Sequence, residues 1–283
     1  MSKSIVNTVL VEKAMPLLQC PGCRQGNPEY NGSKKNPLVI CTECRREYPI
    51  IDGIVDFFPE YTKGKGLAQK LMETKSIVFI YEKYWRPAFT AFGSPVKYEE
   101  EETWLKSVKS NGPVDRILDL ATGTGRYARI LADIYKPDIV LAFDISMPML
   151  KRGLADSLSR GYTNIVFIRG DARCLPFASG SIDRINCFGA LHLFPDPYGA
   201  LEELSRVGIN NTVFSCLTSC REPGFIAARF HRVFSKIASF RFFKIEELEY
   251  HLEELGFTHF QSVVSRMVLM FSAQLIKKQK EPG

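Results

Sequence analysis

One heptapeptide constrains the fold of this chain more than any other stretch: Asp119-Leu-Ala-Thr-Gly-Thr-Gly125. An apolar run, Arg116-Ile-Leu-Asp-Leu120, leads into it, and a helical pattern, Arg126-Tyr-Ala-Arg-Ile-Leu-Ala-Asp-Ile134, leads out. Strand, glycine turn and helix in that order let a nucleotide-like ligand approach the backbone closely. The turn opens on a carboxylate. A pyrophosphate lying against it would meet like charge, whereas a cationic ligand would be attracted.

From Val114 onward the chain alternates between two periodicities. Strands are expected at Arg116–Leu120, Ile139–Phe143, Ile165–Ile168, Ile182–Phe188 and Thr212–Leu217, with helices at 124–135, 147–160 and 198–206 between them. Ser146 can cap the second helix, Pro148 suits its first turn and Gly161 stops it. Such alternation implies right-handed crossovers and a parallel sheet. The tail breaks the rule: a helix at 245–255 is followed by two strand-like runs, Phe260–Val264 and Met267–Ile276, which predict an antiparallel hairpin at the sheet edge. The fold class expected is α/β, a Rossmann-like and mostly parallel sheet.

Three acidic positions fall at the carboxyl ends of expected strands, where open parallel sheets bind ligands. Asp119 is the first. Asp144 lies nineteen residues beyond Gly125, near the ~20 expected for a carboxylate that takes ribose hydroxyls. Asp171, followed by Ala172, can accept from an exocyclic adenine amine while the next N–H meets a ring nitrogen. Ribose and adenine recognition beside an acidic, phosphate-averse turn points to S-adenosylmethionine, which has no phosphate and carries an ammonium and a sulfonium. A nicotinamide dinucleotide fits Asp119 and Asp171 poorly.

Asp-Leu-Ala-Thr-Gly-Thr-Gly, Phe-Asp-Ile-Ser-x-x-Met-Leu, Gly-Asp-Ala-x-x-Leu-Pro-Phe and Ala190-Leu-His-Leu-Phe-Pro-Asp-Pro197 together resemble the class I S-adenosylmethionine-dependent methyltransferases. The resemblance is to the branch similar to ubiquinone and menaquinone methyltransferases and covers about residues 112–276. It implies a seven-stranded sheet with the last strand antiparallel. It also implies that Asp119, Gly123 and Gly125 hold the methionine end, Asp144 the ribose, and Asp171 with Ala172 the adenine. Ala121, Ile145 and Phe188 complete the expected cofactor contacts. Ala121 departs from the glycine that many members carry there.

Eight cysteines are present, four of them as Cys20-Pro-Gly-Cys23 and Cys41-Thr-Glu-Cys44, with seventeen residues between the pairs. This spacing predicts a tetrahedral thiolate zinc site. Four thiolates leave no open position, so the zinc is expected to be structural and to supply folding free energy to a module too small for its own core. The stretch Cys41–Ile54 resembles zinc ribbons of an rRNA guanine methyltransferase and of plastid-type methyltransferases, and Phe79–Arg86 resembles the linker of the latter. The expected domains are a zinc ribbon at 1–60, a helical linker covering the pocket at 61–111, and a methyltransferase domain at 112–283. Residues 1–18 read as a weakly amphipathic leader.

An insert at 221–244 sets six basic residues against Glu222 and interleaves six phenylalanines. It reads as a lid over an apolar acceptor whose basic groups meet an anion or a membrane surface, as a stacking surface for single-stranded RNA, or as an amphipathic helix with a solvated basic face. An oxygen or carbon acceptor needs a base, and His192, after the fourth strand, is the catalytic candidate; His231 and Tyr84 are weaker ones. Asn-Pro-Pro-Tyr is missing at 187–196, which by resemblance disfavours methylation of base amino groups. The function expected is methylation of an oxygen or carbon of a hydrophobic small molecule (quinone, polyketide or lipid-like). Alternatives are an rRNA or tRNA base methyltransferase and a noncatalytic cofactor-binding member.

At 283 residues, 45% hydrophobic and net charge +6, the chain can bury one large core plus an appendage. It has no run of about 18 apolar residues, so no membrane span is expected. Glu12 and Lys13 interrupt any apolar signal region, and a cytoplasmic location is expected.

Overall fold

The computed structural model describes residues 3–32, 37–58, 98–221 and 241–277, with the backbone alone described for 3–8. Residues 59–97, which include Tyr84 and most of the linker expected at 61–111, and most of the insert, with His231, lie outside the described residues.

A helix α1 (Lys3–Ala14) leads through a 3₁₀ turn (Met15–Leu17) into four short strands, β1 (Pro28–Asn31), β2 (Leu38–Cys41), β3 (Glu47–Ile51) and β4 (Ile54–Asp56). Helix α2 (Tyr98–Ser107) follows. Then come β5 (Arg116–Leu120), α3 (Arg126–Tyr135), β6 (Ile139–Asp144), α4 (Met147–Ser159), β7 (Ile165–Arg169) and β8 (Ile182–Phe188). A 3₁₀ turn (Leu191–Leu193), α5 (Pro197–Val207), β9 (Gly208–Ser219), α6 (Ile245–Glu254), β10 (Phe257–Ser265) and β11 (Val268–Leu275) complete the chain.

All eleven strands form one sheet, ordered β1-β2-β3-β4-β7-β6-β5-β8-β9-β11-β10. The seven strands from β5 to β11 lie together, parallel except for β11, which runs antiparallel between β9 and β10. The expected terminal hairpin is therefore present. The sheet itself is larger than the seven strands expected, because the cysteine-bearing strands do not stand apart. Strand β4 pairs parallel with β7, Val55 opposite Ile168 and Asp56 opposite Arg169.

The strands read as apolar runs because both faces of this sheet are covered. Strand β6 is buried along its whole length. On one face, Leu105 of α2, Leu131 of α3 and Leu150 of α4 pack with Ile117, Val140 and Phe167. On the other, Leu201 of α5 and Leu248 of α6 pack with Leu118, Leu141 and Phe214. Leu10, Val11 and Ala14 of α1 join this second core, so the supposed leader is a core helix. Ser146 stands at the N-cap of α4 without a side-chain capping bond, with Pro148 in the first turn and Gly161 (φ 82°) past the end. No helix among the described residues is long and apolar enough to cross a membrane.

Candidate functional site

The strand order reverses between β5 and β8, since chain connections leave β5 toward β6 on one side and return to β8 on the other. Open α/β sheets bind ligands at such a switch point, outside the carboxyl ends of the strands. Asp119 near the end of β5 and Asn186 of β8 face each other there.

Asp119 is 1% exposed. It accepts from Thr122 Oγ1 and, at 2.6 Å, from Asn186 Nδ2. Among the described residues, no basic side chain stands among its hydrogen-bond partners. Burial pushes its carboxyl up to about 6, against the opposing pull of these bonds, and the nearby Asp144 adds to the rise. A buried carboxylate with no counter-cation among the described residues is the complement of a cationic ligand.

Asp144 closes β6 and ties the loops together. Its Oδ2 accepts from the Gly123 N–H and its Oδ1 from the Ser146 N–H, both at 2.8 Å. Its carbonyl accepts from the Gly170 N–H at 3.1 Å, linking it to the loop after β7. Burial raises its carboxyl, while the backbone N–H groups and the Arg169 charge pull the other way. Asp144 thus serves as a loop clamp, and each oxygen retains a lone pair for a further donor.

The turn needs left-handed backbone at three positions: Ala121 (φ 55°), Gly123 (φ 57°) and Gly125 (φ 72°). Glycine adopts this freely, whereas alanine is strained by roughly 1 kcal/mol. Ala121 is where the sequence departs from the family pattern. Gly153 of α4 lets that helix approach the turn, since a Cβ there would stand 2.9 Å from the carbonyl carbon of Thr124.

The third acidic residue is differently placed. Asp171 is bound by Arg173 through Nε at 3.0 Å, Nη2 at 2.6 Å and the backbone N–H at 2.9 Å. Burial raises its carboxyl, but these bonds outweigh that and hold it below the usual carboxylate range. Ala172, half-buried beside it, packs against the core, and Ile145 offers its carbonyl to Arg169 Nε at 2.9 Å. Asp119 lies in β5, Asp144 ends β6 and Asp171 follows β7, so the three stand toward the carboxyl ends of neighbouring strands. Two are linked through the glycine turn, and the third already has a cation of its own.

Phe188 ends β8 and lies 4.7 Å from the Tyr127 ring and 6.0 Å from Trp104, centroid to centroid. His192 is 6% exposed, and its Nδ1 lies 3.3 Å from Thr218 Oγ1. Burial pushes its pKa down to about 3, so the ring is neutral and weakly basic. From the insert, Phe242 and Phe243 are buried. Thr122, Asn186 and Gly153 are contributors that sequence reasoning did not single out. Each depends on a partner across the sheet or turn, and nothing in its own neighbourhood marks it.

The four paired cysteines converge. Their sulfur atoms all lie within 4.8 Å of one another, with Cys20 Sγ 3.7 Å from Cys44 Sγ and Cys23 Sγ 3.6 Å from Cys41 Sγ. A tetrahedron with Zn–S bonds of about 2.3 Å has edges of about 3.8 Å. The two turns match: Arg24 (φ 57°) and Arg45 (φ 58°) each follow the second cysteine of a pair, and each donates its N–H to the carbonyl of the first, Cys20 at 2.9 Å and Cys41 at 3.1 Å. Hydrogen bonds from the Gln25 and Gly26 backbone lower the Cys23 thiol to about 6, and burial raises that of Cys41 to about 11. The donor set and its geometry fit a tetrahedral thiolate metal.

Residues 117–208 match the model of a methyltransferase domain. An uncharacterized chloroplastic methyltransferase of Arabidopsis thaliana is 28% identical over 277 residues, covering 90% of this chain and 77% of the relative. A demethylmenaquinone methyltransferase of Renibacterium salmoninarum is 40% identical over 95 residues, covering 34% of this chain and 37% of the relative. Among solved structures, the Haemonchus contortus phosphoethanolamine N-methyltransferase 2 in complex with S-adenosyl-L-methionine superposes with a TM-score of 0.62 at 16% identity, covering 82% of this chain and 62% of that one. With the sheet order and the acidic switch point, these matches support a class I S-adenosylmethionine-dependent methyltransferase.

Proposed function

We propose that this methyltransferase transfers its methyl group to an oxygen or carbon of an apolar small molecule, and that the switch-point crevice holds the cofactor. The observation that carries the cofactor assignment is Asp119, a buried carboxylate whose hydrogen-bond partners among the described residues include no basic group. In this reading Asp119, Ala121, Gly123 and Gly125 receive the cationic aminoacyl end, and Asp144 with Ile145 takes the ribose. Ala172 meets the adenine ring, with Asp171 sharing its carboxylate between Arg173 and the adenine amine.

The bound cofactor supplies an electrophilic methyl group on a sulfonium. The chain's own part is to position the acceptor in line and keep water out, which is where most of the catalysis in such a transfer comes from. Phe188, Tyr127 and Trp104 form an aromatic group at the same end of the sheet as Asp119, and it supports an apolar acceptor. The resemblance to demethylmenaquinone methyltransferase over 95 residues points the same way. His192, buried and weakly basic, fits a packing and orienting role better than that of a general base.

The basic residues counted in the insert favour a second reading, an RNA base substrate. An assay with methyl-labelled cofactor on fractionated cell extract separates the two. Label in the lipid-soluble fraction supports the first reading, and label in RNA, with affinity falling steeply as salt rises, replaces it by the second.

Cys20, Cys23, Cys41 and Cys44 are proposed to hold one structural zinc. Residues 1–58, though continuous with the sheet, are then a metal-dependent folding unit set before the domain that carries the cofactor site. Unpaired thiols of this kind persist in a reducing compartment. That fits the cytoplasm read from the sequence and equally an organelle interior, the Arabidopsis relative being chloroplastic by name.

A further inference from the structure

The loop after β7, residues 170–178, carries Asp171 and contains no helix or strand, only an isolated bridge at Phe177. Backbone groups in such a segment still need partners, and the cysteine module supplies them. The Gln19 N–H donates to the Pro176 carbonyl at 3.0 Å, and the Ala178 N–H donates to the Leu17 carbonyl at 2.9 Å. The Cys174 thiol donates to the carbonyl of Pro21, inside the first cysteine pair, at 3.1 Å. At the start of the loop, the Phe57 N–H donates to the Arg169 carbonyl at 2.8 Å, and Arg169 pairs with Asp56 at 3.0 Å.

Arg24 also joins the metal turn to the loop, through Glu203 and through Cys174, whose sulfur accepts from its Nη2 at 3.5 Å. Arg24 follows Cys23, and its left-handed backbone is part of the turn that aims the two thiols. Its Nη1 donates to Glu203 Oε1 at 2.7 Å, and Glu203 Oε2 accepts from the Leu175 N–H at 2.8 Å. Arg206, on the same helix as Glu203, holds that carboxylate from the α5 side. Arg24 holds it from the module.

We propose that the four-cysteine module positions the Asp171 loop, with Arg24 as the coupling residue, so that metal occupancy at the cysteines sets the affinity of the cofactor crevice. The proposal rests on the reading of Asp171 and Ala172 as the adenine side. Without metal the first turn loses what fixes its conformation, and Arg24 no longer points at Glu203. The loop is then ordered only when cofactor binds, and that ordering is subtracted from the binding free energy. Linkage makes the effect reciprocal: bound cofactor strengthens metal retention by the same factor.

The test uses the full-length, metal-loaded protein, with S-adenosylhomocysteine titrated by calorimetry and amide hydrogen exchange read over residues 170–178. Arg24→Ala is expected to weaken S-adenosylhomocysteine binding by roughly 5- to 150-fold, the usual span of such couplings. Faster exchange at Leu175 and Ala178 and an unchanged metal content complete the expectation. Arg24→Lys should recover part of the affinity, and chelated wild-type protein should reproduce the Arg24→Ala result. Wild-type affinity and exchange in Arg24→Ala overturn the proposal, as does a lowered melting temperature with unaltered affinity. If the metal-loaded wild type itself fails to bind S-adenosylhomocysteine, the cofactor reading falls and takes this one with it. If the wild type binds and only the variant shows no effect, the coupling alone is lost.

Discussion

Asp119 concentrates the electrostatics of this protein in one carboxyl group. Its folded pKa, about 6, is raised by burial above the ordinary carboxylate value. The protonated form is favoured in the folded state, so its contribution to stability is full below about pH 4 and lost as pH rises through about 6. A cationic ligand reverses the balance by favouring the carboxylate. Affinity for S-adenosylmethionine should therefore rise about tenfold between pH 5 and 7, and Asp119→Asn should flatten that rise while weakening binding throughout. Calorimetry at several pH values checks this; a pH-independent wild-type affinity would remove Asp119 from the cofactor contacts. His192 makes the opposite case. Its neutral ring packs beside Thr218, so His192→Asn should lower methyl transfer by less than tenfold. A loss of 10²-fold or more, the range expected for a general base, would restore it as the base.

Helix α4 shows how an element is placed by one small residue. A Cβ at Gly153 would meet the Thr124 backbone at 2.9–3.0 Å and the Phe167 ring at 2.7 Å. Gly153→Ala gains about 1 kcal/mol of helix propensity but forces the helix off the glycine turn, at about 1–3 kcal/mol. The expected result is a lower melting temperature together with weaker S-adenosylhomocysteine binding, measured on the same preparation; unchanged values would show that the helix shifts freely. At this scale most of the fold was legible beforehand. Strands β5 and β8 have the expected bounds because both faces are buried, although Asp119, Asp183, Arg184 and Asn186 interrupt their apolar runs. Strand β9 begins at Gly208, four residues before the expected start, because Asn210 and Asn211 are exposed and carry no strand pattern. Helix α1 was unreadable for a related reason: its described core contacts are only Leu10, Val11 and Ala14, too narrow a stripe to mark a buried helix. The cysteine spacing announced its cluster in full. The pairing of Asp171 with Arg173 and the bracing of Asp119 by Asn186 depend on side-chain direction and on sheet register, which local pattern does not encode.

For the molecule as a whole, the continuity of β4 with β7 turns two expected domains into one sheet. Metal at the cysteines should then stabilise the entire chain and not merely its first 58 residues. One zinc per chain by elemental analysis is expected, and chelation should lower a single calorimetric transition. A separate low-temperature melt, with the main transition unmoved, would instead mean that the module folds on its own account. The pairing of Asp56 with Arg169 spans 113 positions, which has a bearing on biogenesis. At synthesis rates of about 5–20 residues per second, the amino-terminal strands leave the ribosome roughly 6 to 23 s before their docking edge exists. During that interval the first helix has no sheet to cover its apolar side. The nascent chain is most vulnerable to misassembly in that window, and early zinc capture would shorten the list of wrong partners it can find.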